Sequence, residues 1–150
     1  MSRQSRHNGQ GFTLVELLIV VVILGVLAAI VIPKFANASL EAQTANLHSQ
    51  LQTVRAAIQL YRVQHRDTAP DLVGSNWAAF TGKTDSLGNA TANPDDWGPD
   101  MQAEPKNPLA NSNVIADTAA PGVGWVYDKS SGTIVATSDN QGTLFDESSN

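Results

Sequence analysis

The sequence predicts an α+β chain: one long N-terminal α-helix with an apolar first half and an amphipathic second half, followed by a head built on a small antiparallel β-sheet. Three features predict it. Residues 12–32 are apolar except for Thr13 and Glu16. Residues 47–65 repeat apolar side chains at helical spacing. Near the end of the chain, 124–128 and 133–137 alternate as strands do and flank a short polar loop that ends in glycine.

Residues 1–11, "MSRQSRHNGQG", are basic and polar and end in Gly11. A secretory signal carries its own apolar region ahead of a small-residue cleavage site. Here the order is reversed, so cleavage after Gly11 would leave the apolar region on the mature chain and remove His7 with the leader. Phe12 to Ile32 is 21 residues, about 31 Å as a helix, which matches a hydrocarbon core of about 30 Å. Arg3 and Arg6 ahead of the span favour a cytoplasmic N-terminus.

Glu16 breaks the pattern of a plain anchor. A carboxylate at membrane depth costs roughly 2.5–3.5 kcal/mol on insertion scales and generally has a partner. Cleavage after Gly11 would create an α-amino group on Phe12, one helical turn from Glu16. That ammonium is the nearest counter-charge, in the same chain or in a neighbouring one. Gly25 and Pro33 are poor helix formers, and Gly25–Pro33 is expected to be the weakest part of the helix.

The stretch Gly11-Phe12-Thr13-Leu14-Val15-Glu16-Leu17, with the apolar run and Pro33 behind it, resembles the processing site of type IV pilins and type II secretion pseudopilins. The resemblance implies cleavage after Gly11 by a prepilin peptidase and methylation of the new N-terminal Phe12. It also implies that Glu16 neutralises the N-terminal amine of an adjacent subunit during filament assembly. For Gly25 and Pro33 it implies a segment able to unwind locally in the filament.

Beyond Pro33 a second pattern begins. Leu47, Leu51, Val54, Ile58, Tyr61 and His65 line one helical face, and Pro70 in "RDTAPD" supplies the stop. The expected organisation is a leader at 1–11, a membrane and filament-core helix at 12–33, the amphipathic half of the same helix at 34–66, and a head at 67–150. The helix would be about 80 Å long. The pilin-like fold that the resemblance implies lays a small antiparallel sheet over the second half of that helix. His48 and His65 are too far apart to share an ion by helical spacing, and His65 reads as a boundary residue of the packed face.

Residues 67–122 read as a loop between helix and sheet, with a short helical turn in "GSNWAAFTG" (74–82) that lets Trp77 and Phe80 reach the core. Two prolines in "EPKNPLANSN" argue against a central strand there. "GWVYD" and "TIVAT" around Lys129-Ser-Ser-Gly132 read as a hairpin whose aromatic face, Trp125 and Tyr127, meets the helix. Candidates for a calcium site are Asp139, Asn140 and Asp146, with Asp95, Asp96 and Asp100 as a second acidic cluster. Calcium takes six to eight oxygen ligands, which closely spaced Asp and Asn can supply, although Asp is equally at home in solvated turns. "NAS" (37–39) and "NAT" (89–91) match glycosylation sequons.

Charge and composition narrow the function. The chain has no cysteine, hence no disulfide or thiolate chemistry. Arg3 and Arg6 are the only charges in the first eleven residues, so the rest holds seven of the nine basic residues and all 14 acidic ones. Such acidity argues against nucleic-acid binding, which needs a basic footprint. No catalytic constellation of nucleophile and base stands out. The leading expectation is a subunit of a type II secretion pseudopilus, with a type IV pilin of adhesion, motility or DNA uptake as the alternative. A membrane-anchored binding protein that never polymerises is the reading of a different class. Implied partners are further copies of the chain, other pilins or pseudopilins, the prepilin peptidase, an assembly platform protein with its ATPase, and the inner membrane.

Overall fold

The computed structural model describes residues 11–75 and 77–148, with backbone alone at 33, 36, 74 and 75. Most of the expected leader, with His7, lies outside the described residues. The chain divides into two compact units, Met1–Leu40 and Glu41–Asn150. It is an α+β chain of the pilin-like kind: one long N-terminal helix, α1 (Leu14–Gln64), followed by short helices and small sheets.

α1 begins where Thr13 caps it. The Thr13 hydroxyl accepts from the Glu16 N–H at 3.2 Å and the Thr13 carbonyl accepts from the Leu17 N–H at 3.2 Å, the pattern of an N-cap. It ends with Arg66 and Asp67 in the left-handed region, φ 56° and 64°. There the Asp67 N–H donates to the Arg62 carbonyl at 2.8 Å, a six-to-one closure of the Schellman kind. The Arg62 guanidinium then meets the Asp67 carboxylate at 2.6 Å. The helix is therefore two residues shorter at each end than 12–66, because both ends are set by caps.

The second unit is built on the apolar face of α1. Leu47, Leu51, Val54, Ile58, Tyr61 and His65 are all buried, together with Ala57. They pack against Leu72 of α2 (Leu72–Ser75), Trp77, Phe80 of α3 (Ala78–Thr81) and the aromatic face of a hairpin. β4 (Trp125–Asp128) and β5 (Thr133–Ala136) form that hairpin, antiparallel, with Trp125 opposite Ala136 and Tyr127 opposite Ile134. These four side chains face the core while Val126 and Val135 lie on the other face, as strand alternation requires. Trp77 and Trp125 meet edge-on at 5.8 Å, and their indole N–H groups donate to the carbonyls of Asn113 and Pro105. Burial pushes the Tyr127 hydroxyl up to about 12.

His65 is a satisfied core residue. Its Nδ1 lies 2.7 Å from the Tyr61 carbonyl, so Nδ1 carries a hydrogen, and its Nε2 lies 3.0 Å from the Thr84 hydroxyl, with which it shares a hydrogen bond. The ring stacks on Tyr61 at 3.8 Å.

The region expected as plain loop contains more structure than its sequence suggests. β1 (Lys83–Thr84) pairs antiparallel with β2 (Ala90–Thr91), and β3 (Ile115–Ala116) pairs with β4 in parallel. The hairpin sheet is therefore mixed, not purely antiparallel. Two-residue strands carry no alternation long enough to read. Gly124 is required beside β3, because a Cβ there would lie 2.3 Å from the Ser112 carbonyl oxygen.

Asn107 ties these loops together. Fully buried, its amide donates to the carbonyls of Gly124 and Thr137 at 2.8 Å each and accepts from the N–H groups of Leu109 and Ala110. Asn107→Ala leaves the Thr137 carbonyl and the Leu109 and Ala110 N–H groups without this partner, while the Gly124 carbonyl keeps the Thr137 N–H, and should cost about 2–4 kcal/mol, measured as a loss of unfolding free energy in urea. A second expectation concerns acid. Asp85 is held below the usual carboxylate range first by the Asn89 side chain, Asp128 by the Ser130 hydroxyl, Asp139 by the Thr143 N–H and Asp146 by the Ser148 hydroxyl. Lowered folded values mean that their stabilisation is complete above the unfolded carboxylate value of about 4 and is lost as pH falls through the folded values. Thermal unfolding should be flat near neutrality and drop below about pH 4.

Candidate functional site

The site is the start of α1. Gly11 precedes the helix with open space around its Cα, and Phe12 is 76% exposed. Thr13 and Glu16 have the T-x-x-E spacing of a capping box, in which the cap hydroxyl serves the third residue's N–H and the acid reaches back toward the cap. The first half of that exchange is present in the Glu16 N–H to Thr13 Oγ1 bond. Thr13 thereby sets Glu16 in the first turn, the end of a helix where a negative charge is favoured. The sequence carried this signal in full, but the spacing was read only for Glu16 and not for the threonine that positions it.

Behind Glu16, every residue from Leu14 to Ile32 is exposed in the single chain, and Glu16 is the only charge among them. α1 is long and apolar enough here to cross a membrane by length and composition, with a mean hydropathy of 3.2 over its most apolar window. Gly25 and Pro33 are both helical in backbone, and no side chain comes near Gly25. The segment between them is continuous helix in the single chain.

The acidic candidates do not converge. Asp139 accepts from the N–H groups of Gln141 and Thr143 at 2.9 and 3.0 Å and from the Thr143 hydroxyl at 2.7 Å. Asp146 accepts from the N–H and hydroxyl of Ser148, and the Asn140 carbonyl accepts from Gly122. Each carboxylate closes its own turn. In the second cluster, burial raises Asp100, while Asp95 and Asp96 lie in a turn around Asn93. Among the described residues no three His, Asp or Glu side chains group to hold a metal ion.

Comparison with known proteins bears on the helix start. Residues 6–32 match the family model described as a prokaryotic N-terminal methylation motif. The chain is 35% identical over 96 residues to the type IV narrow pilus major component PilA5 of Thermus thermophilus, covering 57% of this chain and 83% of that protein. It is 35% identical over 89 residues to the type IV major fimbrial protein FimA of Dichelobacter nodosus, and 35% identical over 60 residues to the type II secretion system core protein G of Pseudomonas aeruginosa. Those two matches cover 55% and 40% of this chain, and the chain spans about half the length of each relative, 56% and 42%. No solved structure matches. The Gly-Phe start and the acid in the first turn, the methylation-motif match over them and the 83% coverage of a pilus component agree: the chain belongs to the family of type IV pilins and type II secretion pseudopilins.

Proposed function

We propose that this protein is a structural subunit that polymerises with its own copies into a filament, after insertion in the inner membrane and cleavage after Gly11. The observation that carries the reading is the uncovered apolar half of α1. Fifteen large apolar side chains between Leu14 and Ile32 are exposed. At roughly 1.5 kcal/mol each, covering them is worth on the order of 20 kcal/mol, far more than the roughly 3 kcal/mol cost of carrying Glu16 into the same environment. The segment therefore belongs in lipid first and against like segments afterwards. Within the second unit, the outward residues of α1 from Ala42 to Val63 are mostly uncharged, with Arg55 and Arg62 only partly exposed, which suits a face that ends against neighbouring copies better than one left in water.

In this reading Glu16 is kept because it recognises a charge that cleavage creates. The Phe12 ammonium of an adjacent copy gives it a partner as the subunit leaves the lipid. The prepilin peptidase, an assembly platform and its ATPase are the partners that this route needs. Arg3 and Arg6 favour a cytoplasmic N-terminus and a periplasmic head.

Of the two kinds of filament in the family, we favour the type II secretion pseudopilus. The head is small and closed without any disulfide, and a secretion core protein G is among the relatives. The surface pilus is the second reading, favoured by the match that spans 83% of a narrow-pilus component. Deleting the gene separates them: loss of a secreted protein with surface filaments unchanged supports the first, and the reverse supports the second.

Glu16→Ala tests the assembly role. By mass spectrometry the mature variant should still begin at methylated Phe12, while the yield of sheared or cross-linked filament falls tenfold or more. Normal assembly would remove the role given to Glu16, and an unprocessed chain beginning at Met1 in the wild type would remove the processing step.

A further inference from the structure

The C-terminal segment does something that none of the readings above uses. After β5 the chain turns through Ser138–Thr143, closed by the Asp139 carboxylate. Gly142 sits there at φ 89°, where a Cβ would come within 2.6 Å of the Ala120 backbone. The chain then runs back antiparallel along the edge of β5 that β4 does not occupy. Thr137 bridges to Leu144, and the Phe145 N–H donates to the Ala136 carbonyl at 2.9 Å. The Phe145 ring meets His48 of α1 edge-on at 5.0 Å. Glu147 closes the segment on Arg55 of α1 through two bonds, and the same guanidinium donates to the Ile134 carbonyl at 3.0 Å.

We propose that residues 138–147 are a strap over the free edge of β5, latched by Arg55 and Glu147, and that opening the latch turns this edge into a pairing site for a second copy of the chain. The strap and its latch partner the outward carbonyls of Ala136 and Ile134. Without them the edge presents unpaired backbone groups, which is a template for another strand. The latch can open: its side chains are 39% and 35% exposed, so salt screens the pair and it is individually weak. No disulfide backs it up, because the chain has no cysteine. The occupant follows from fit. The segment that already matches this edge is Leu144–Glu147, and every copy carries one, so an exchanged strap reproduces the same contacts between chains. None of this depends on the filament reading, since it concerns only the head and a second head.

The test uses the full-length chain in detergent. Glu147→Gln keeps the shape and removes the charge. Hydrogen exchange at the Phe145 amide should quicken about tenfold, with the amides of Trp125 and Tyr127 as protected as before. Unchanged exchange at Phe145 would show that the pair is not the latch. Equal quickening at all three amides would show that the strap does not open separately from the core. Pairing is read by mixing tagged Arg55→Cys with untagged Glu147→Cys, each of which breaks its own latch, and adding a short bis-maleimide. A tagged–untagged dimer joined through positions 55 and 147 is expected. If only same-variant dimers or uncross-linked monomers form, the edge does not take a second copy.

Discussion

The structure depends on one constraint: among the described residues, nothing covers the apolar first part of its longest helix. From Leu14 to Ile32 the side chains are apolar and exposed, and burying them outweighs any single polar cost along the helix. Everything at that end is arranged around the cover being supplied from outside. In the proposed route the basic residues ahead of Gly11 orient the chain in lipid. Thr13 fixes the start of the helix, and that fixed start puts Glu16 one turn in, the only charge in the stretch. A lone acid in such a place makes little sense for an anchor and good sense for a segment that must leave lipid and find a specific neighbour.

The head solves the opposite problem with ordinary means. One face of the second half of α1 supplies an apolar stripe, and a four-residue hairpin returns Trp125, Tyr127, Ile134 and Ala136 to it. So short a sheet leaves many backbone groups in loops. Side chains satisfy them: Asn107 serves four, and Asp85, Asp128, Asp139 and Asp146 each close a turn. Part of the head's acidity is therefore turn chemistry.

What could be read in the sequence was what has a local period or a fixed spacing. The 47–65 stripe, the hairpin and its inward aromatic face, and the Trp77–Phe80 turn all follow from neighbouring residues, and so did the family likeness around Gly11 and Phe12. Interactions between distant residues were hidden. Arg55 and Glu147 are 92 positions apart, and nothing near either one announces the pair. The parallel β3–β4 contact rests on two residues per strand, and the role of Asn107 depends on carbonyls at 124 and 137. The two-residue shortening of α1 at each end is local by contrast, set by the Thr13 cap and by the Asp67–Arg62 closure.

In the proposed filament Glu16 finds its counter-charge in another chain. An electron cryomicroscopy map of the assembled filament tests it most directly. The expected map has residues 14–32 of each copy buried among other copies, with the Glu16 carboxylate within about 4 Å of a neighbouring chain's Phe12 amine. A map in which Glu16 meets the amine of its own chain, or in which these residues line the filament surface, would contradict it.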